Sequence, residues 1–268
     1  MKGTDIEGWL LQRVRVLGVG VHNCDEAGAV KAIEAFLHEK PTRLHQVCTV
    51  NPEFVMESRR NPAFRRLLNS VDLATPDGVG IIAAGKLLRR PFKGRATGVA
   101  LVERLAELSA REGYSLFLLG AAPGVADEAA GVLGKRYPGV KIVGTYAGSP
   151  RDEDWPEIKA KLDEARPDIL LVAYGAPKQD VWIDAHKDEM TKSVRLAMGV
   201  GGVFDYLSGR ARLAPPVVRR VGLEWLYRLV TQPWRWKRIL RVFAFGALIV
   251  RQAVVEVRSQ KSENRSQP

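Results

Sequence analysis

Four side chains stand where an apolar run gives way to a loop: Thr49 and Asn51 in TVNPEF (49–54), Asp77 in TPDGVG (75–80) and Gln179 in GAPKQD (175–180). An aspartate of ordinary pKa, about 3.9, is ionised at neutral pH and can take the proton of a hydroxyl as that hydroxyl attacks. Thr49 and Asn51 beside such a base could hold the substrate by hydrogen bonds. The same residue types also open turns and cap helices, so Asn51-Pro52 and Asp77-Gly78 have an equally simple structural reading. Chemistry requires the loops to meet, which they do if their strands are parallel in one sheet, with carboxyl ends along one edge.

The rest of the sequence supports such a sheet. Short apolar or β-branched runs recur at 14–21, 44–50, 71–75, 115–120, 141–147, 168–175 and 194–202. Between them lie segments of helical spacing, among them 25–40, 98–113 and 124–137. This alternation predicts an α/β fold: a mostly parallel sheet with helices on both faces. The reading divides the chain into a catalytic body over residues 1–208, a basic helical appendage over 209–258, and a polar tail without regular structure over 259–268.

Other motifs point less sharply. GAAPGVADEA (120–129) is a glycine-bearing loop that opens a helix, where backbone N–H groups suit an anion or simply a tight connection. It lacks the Gly-Lys-Ser/Thr ending of a P-loop, and Gly18-Val19-Gly20 is followed by Asn23 where a dinucleotide fingerprint needs glycine. Asp152-Glu153-Asp154 has the form of a metal-binding DxD but sits as acids sit in a first helical turn. His22, Cys24, His45 and Cys48 flank two strand ends, yet residues 45 and 48 point to opposite faces of a strand. No metal or cofactor is expected.

Two cysteines exclude a disulfide framework, and the charged first twenty residues lack a signal-peptide core, which leads us to expect a cytoplasmic protein. The net charge of +11 is concentrated: residues 209–268 hold 13 Lys and Arg against 3 acids. In that segment Pro215-Pro216 and Pro233 mark helix starts, Trp225, Tyr227, Trp234 and Trp236 offer aromatic anchors, and VFAFGALIV (242–250) falls short of the ~20 residues of a spanning helix. Arg228, Arg235 and Arg238 would share one side of a continuous helix and could fork onto phosphate oxygens or anionic lipid. A basic apolar tail of this kind favours a lipid surface over nucleic acid.

Taken in order, TVNPEFV, TPDGVG, RATGVAL, FLLGAAPGVADEA, GAPKQD, GVGGVFDYLSG and GLEWLYRL resemble the WecG/TagA/CpsF family of bacterial glycosyltransferases, from about residue 14 to 241. The resemblance implies a Rossmann-like fold of the GT-E type and an inverting, metal-free transfer. The donor is a UDP-sugar, typically UDP-N-acetylmannosamine, with ManNAcA or glucose as alternatives; the acceptor is a GlcNAc-bearing polyprenyl diphosphate. It further implies Asp77 as general base beside Thr49 and Asn51, and Arg95 and Gln179 as pocket residues. Asp205 falls at the uridine end, with Gly120 and Gly201 as backbone contacts, and Arg228, Arg235 and Arg238 reach the diphosphate from the appendage. An anionic membrane surface on the inner face of the cell membrane follows as partner, nucleic acid does not, and a homo-oligomer is compatible with it. The chain departs from the family's pattern at Gly94, Asp180 and Leu213.

Overall fold

The protein, in a computed structural model, is described over residues 12–212, 214, 215, 218, 227 and 236–265. It opens with a two-stranded antiparallel hairpin, β1 (Arg13–Val16) and β2 (Val19–His22), paired from Arg13↔His22 to Val16↔Val19. The sequence suggested one continuous strand here. The chain instead reverses at Leu17-Gly18, both at positive φ (50° and 89°), and the hairpin stands apart from the main sheet.

Six further strands form that sheet: β3 (His45–Val50), β4 (Leu73–Pro76), β5 (Ser115–Gly120), β6 (Lys141–Tyr146), β7 (Ile169–Ala173) and β8 (Leu196–Gly199). All pair in parallel, in the order β4-β3-β8-β7-β5-β6. Strands β3, β4, β7 and β8 are buried along their whole length, as parallel strands covered on both faces must be.

Alternate residues of the strands go to opposite faces. Val47, Leu73, Leu116, Leu118, Leu171 and Met198 meet α1 (Glu26–His38), α5 (Gly98–Glu112), α6 (Val125–Arg136) and the short α9 (Val203–Leu207). On the other face Phe117, Leu119, Leu170, Val172 and Ala197 meet α7 (Trp155–Ala165) and α8 (Lys178–Met190). Also on that face, Cys48, Val50 and Ala74 meet the hairpin, α2 (Pro52–Arg60), α3 (Pro62–Ser70) and α4 (Val79–Leu87). The chain therefore leaves the neighbouring strands β3 and β8 toward opposite faces, which opens a crevice at their carboxyl ends.

The last helix, α10 (Trp236–Arg265), lies against α2, α4 and the hairpin. Phe245 and Ile249 enter the hairpin's core cluster, and Gln252 accepts from Leu17 N–H (2.9 Å) and donates to the Arg15 carbonyl (3.1 Å). Its other side exposes Leu240, Phe243, Val250 and Val254, spaced as one helical stripe. Among the described residues no helix is long and apolar enough to cross a membrane. The helix is regular to Arg265, beyond residue 259 where an unstructured tail was expected; SQKSENR holds no proline or glycine and continues a helix already begun.

Candidate active site

The carboxyl ends of β3 and β4 lie side by side, with Thr49 opposite Thr75 and Val50 opposite Pro76. The ladder runs one residue further, as Asp77 N–H donates to the Val50 carbonyl (2.8 Å). That bond sets Asn51 and Asp77 at the heads of adjacent loops. Each head begins a helix, and the two helices touch: a Cβ on Gly80 would stand 2.6 Å from Pro52 Cγ. The first turns of α2 and α4 thus converge, with their N–H groups and positive dipole ends at the site.

Asn51 and Asp77 differ in how they serve those helices. Asn51 is the N-cap of α2: its Oδ1 accepts from Glu53 N–H (2.9 Å) and Phe54 N–H (3.1 Å), and Pro52 fills the first helical position. Its carboxamide NH2 is the part left to face a substrate. Helix α4 has Gly78 at φ 85° as its N-cap, and the half-buried Asp77 stands one residue before it. Thr49 is buried, and its hydroxyl borders Gly98 at the start of α5; a Cβ on Gly98 would lie 3.7 Å from Thr49 Oγ1.

The segment before α5 is fastened to β4 by Ala96 N–H to the Pro76 carbonyl (2.9 Å) and by Thr75 Oγ1 to the Ala96 carbonyl (3.0 Å). Arg95, one residue earlier, borders a cleft of about 550 Å³ between α1 and α5, in the company of Asp25, Lys31, Glu34, Arg104 and Arg111. It is thus held near the end of β4, where it also borders that cleft.

Gln179 belongs to the next part of the edge. Buried at the start of α8, it accepts Gly201 N–H through Oε1 (2.9 Å) and so joins the loop after β7 to the turn after β8. Gly201 has φ 58°, and Gly120, ending β5, has φ 97° with no room for a side chain against Tyr174 (2.9 Å). Asp205 lies in α9 behind that turn, half-buried, its carbonyl accepting from Ala211 N–H (2.8 Å). At α6, Asp127 and Glu128 fill the first turn, and Arg210 grips Glu128 through two bonds (2.7 and 2.9 Å).

The structure therefore brings together Thr49, Asn51 and Asp77, and separately Gln179 and Gly201, along one edge. Arg228 and Arg235, with Trp225 and Trp234, lie outside the described residues, and Arg238 and Trp236 are described only as backbone of α10. His22, Cys24, His45 and Cys48 have separate surroundings: His22 bonds the Ala74 backbone, Cys24 joins the α1 core, His45 stacks on Phe36 and Cys48 bonds Asp180. Asp152–Asp154 forms a 3-10 turn leading into α7.

Sequence reasoning missed Asp180. It is wholly buried, and Cys48 Sγ donates to its Oδ1 at 3.2 Å. Burial pushes its carboxyl up to about 7, against smaller opposing effects of Cys48 and Gln179, and pushes the Cys48 thiol up as well. An acid in a first helical turn ordinarily reads as solvated; glycine at 199 was the one signal of a side chain packed onto the strand end.

A model of the glycosyl transferase WecG/TagA/CpsF family matches residues 14–259, most of the chain. The chain belongs to the WecG/TagA/CpsF family. It is accordingly a glycosyltransferase, a hexosyltransferase by the names of its relatives. A relative from Bacillus spizizenii, named N-acetylglucosaminyldiphosphoundecaprenol N-acetyl-beta-D-mannosaminyltransferase, is 34% identical over 196 residues, covering 73% of this chain and 75% of the relative. Proteins of the same name from Bacillus subtilis strain 168 (30% over 206 residues, 77% and 79% covered) and Staphylococcus aureus strain MRSA252 (29% over 251 residues, 94% and 96% covered) are also similar. Within the family match lie the hairpin, the six-stranded sheet and the larger part of α10.

Proposed function

We propose that this glycosyltransferase moves N-acetylmannosamine, with inversion, from UDP to the sugar of a polyprenyl-diphosphate-linked GlcNAc, using Asp77 as general base. The acceptor hydroxyl oxygen forms a bond to the anomeric carbon as the bond from that carbon to the UDP β-phosphate oxygen breaks, and the hydroxyl proton passes to Asp77. The observation that carries the assignment is position: Asp77 stands at the end of β4, its N–H on the Val50 carbonyl, one strand away from Thr49 and Asn51 at the end of β3. A carboxylate held at a parallel sheet's carboxyl edge, beside a donor amide and a threonine hydroxyl, suits proton abstraction.

The leaving diphosphate needs positive charge, which the converging first turns of α2 and α4 supply in part and Arg228, Arg235 and Arg238 supply from the appendage. Asp205, Gly120 and Gly201 serve the nucleotide, and Arg95 and Gln179 line the donor side. The names of the relatives favour this donor and acceptor. The exposed stripe of α10, flanked by a strongly basic segment, supports docking on the anionic cytoplasmic face of the membrane, where a lipid-linked acceptor resides.

The test is to incubate the protein with a panel of UDP-sugars and a synthetic lipid-diphosphate-GlcNAc, following UDP release and product mass. UDP-N-acetylmannosamine is expected to give a disaccharide lipid. Turnover only with ManNAcA or glucose donors would replace the donor, and no turnover with any donor would overturn the reading.

A further inference from the structure

Beneath the carboxyl edge runs a buried polar link that the transfer step itself does not employ. Asp180 ties α8 to β3 twice: its Oδ1 accepts from Cys48 Sγ (3.2 Å), and its carbonyl accepts from Gln46 Nε2 (2.9 Å). Its chain neighbour Gln179 in turn holds the Gly201 N–H (2.9 Å). Both side chains press on Gly199, where a Cβ would stand 2.5 Å from Gln179 Nε2 and 2.7 Å from Asp180 Oδ1. Residues 179 and 180 thereby tie the start of α8 to β3 and to the end of β8.

That group has poor compensation for a negative charge. Among the described residues Oδ2 has no hydrogen-bond partner. The groups that face it are a thiol from β3 and the Gln179 amide, and the further charges acting on the same Cys48 thiol are Asp184, one turn along α8, and Asp72, ahead of β4. Neither acid can offset an anion at 180. A buried carboxylate in such surroundings is disfavoured against its neutral form.

We propose that Asp180 is a positioning residue that, while it carries its proton, locks Gln179 onto Gly199 and so holds the Gly201 turn in the shape that receives the donor's nucleoside diphosphate. Ionisation leaves an anion in a wholly buried site where two neutral donors offset only part of its desolvation cost, which favours an opened site with water at the carboxylate, and the lock loosens. The proposal rests on the reading of this edge as a UDP-sugar site. The raised carboxyl, at about 7, puts the change near neutral pH.

The experiment uses the full chain and UDP as probe, titrated by calorimetry across the pH range on either side of that value, for the wild type, Asp180→Asn and Asp77→Asn. The UDP's own ionisation cancels in the ratio of wild-type to variant Kd. The wild type is expected to lose affinity relative to Asp180→Asn by up to about tenfold per pH unit above the transition, with Asp77→Asn following the wild type. A ratio that stays constant with pH would overturn the proposal. Exchange of the Gly201 amide, corrected for intrinsic pH dependence, reads the lock without ligand: protection is expected to fall with pH in the wild type and to hold in Asp180→Asn. Equal protection at all pH values also overturns it. Should Asp180→Asn not fold, Gly199→Ala displaces the same two side chains and is expected to show the loosened state at every pH; a Gly201 amide protected as in the wild type at low pH would overturn the proposal. A wild type that binds no UDP yet shows the pH-dependent amide protection would overturn the donor reading and uphold the lock.

Discussion

The ring of Pro52 occupies the space in which a side chain on Gly80 would begin, 2.6 Å from Pro52 Cγ. This contact brings the first turns of α2 and α4 together and sets the spacing of Asn51 and Asp77. Gly80→Ala forces a backbone shift, because a proline ring has no other rotamer to adopt. We expect a loss of about 1–3 kcal/mol in stability from overpacking, together with a fall in turnover larger than an alanine elsewhere on α4 would cause. Chemical denaturation and steady-state kinetics on the same preparation check both.

Asp77→Asn keeps the size of the side chain and removes its basicity. Turnover is expected to fall by about 10²- to 10⁴-fold, the usual contribution of a general base, with UDP affinity within a few-fold of wild type. Near-normal turnover would remove Asp77 from that role.

Asn51 should show a split between stability and activity. Asn51→Asp retains an oxygen for the Glu53 and Phe54 N–H groups but loses the amide donor. Asn51→Ala loses both and is expected to cost about 1 kcal/mol in unfolding free energy. If Asn51 contacts substrate, Asn51→Asp unfolds like the wild type and still loses activity; full activity in Asn51→Asp limits the residue to its cap.

Asp180 also makes a prediction about pH and stability. Its carboxyl in the folded chain lies at about 7 against an ordinary 3.8, so the folded state binds this proton more tightly than the unfolded one. The associated stability is complete below the unfolded value and is lost as pH rises through the folded one. Relative to Asp180→Asn, the wild type should therefore lose Tm between about pH 4 and about pH 7 and keep a constant deficit above that. Thermal unfolding across this range, with a Tm difference independent of pH, would contradict the placement of a buried neutral acid.

The two sides of α10 should separate by substitution. Phe245→Ala removes a buried ring and is expected to destabilise by about 3–5 kcal/mol. Val250→Glu, on the exposed stripe, should leave Tm nearly unchanged while weakening sedimentation with anionic vesicles. Unaltered vesicle binding by Val250→Glu would exclude this stripe as the docking face.

Helices α1 and α5 were legible within a residue or two because their caps are written in the sequence: Asp25 accepts from Gly28 N–H and Thr97 from Ala100 N–H. The six parallel strands were legible as short apolar runs. The hairpin was not, since its turn places Leu17, a residue with no preference for positive φ, before Gly18. At the site, strand-end position was enough to single out Thr49, Asn51, Asp77 and Gln179. It could not say which of two Asx residues would be the N-cap of its helix, because that depends on where α4 starts, with Gly78 rather than Asp77 as its cap. Asp180 was hidden for a different reason: burial of an acid is decided by Cys48 and Gly199, which are 132 and 19 residues away in sequence.

Gln252 bonds to Leu17 and Arg15 across 235 and 237 positions of the chain. A chain made from its amino end therefore holds its first hairpin long before the helix that covers it exists. Until residues 245 to 252 have been made, the cluster of the hairpin, α2 and α4 lacks Phe245 and Ile249 and stays open on that side. The order of translation thus makes α10 a late cover for a face whose other parts were made long before it, so that α2 and α4 wait for their outer packing until that helix has been made.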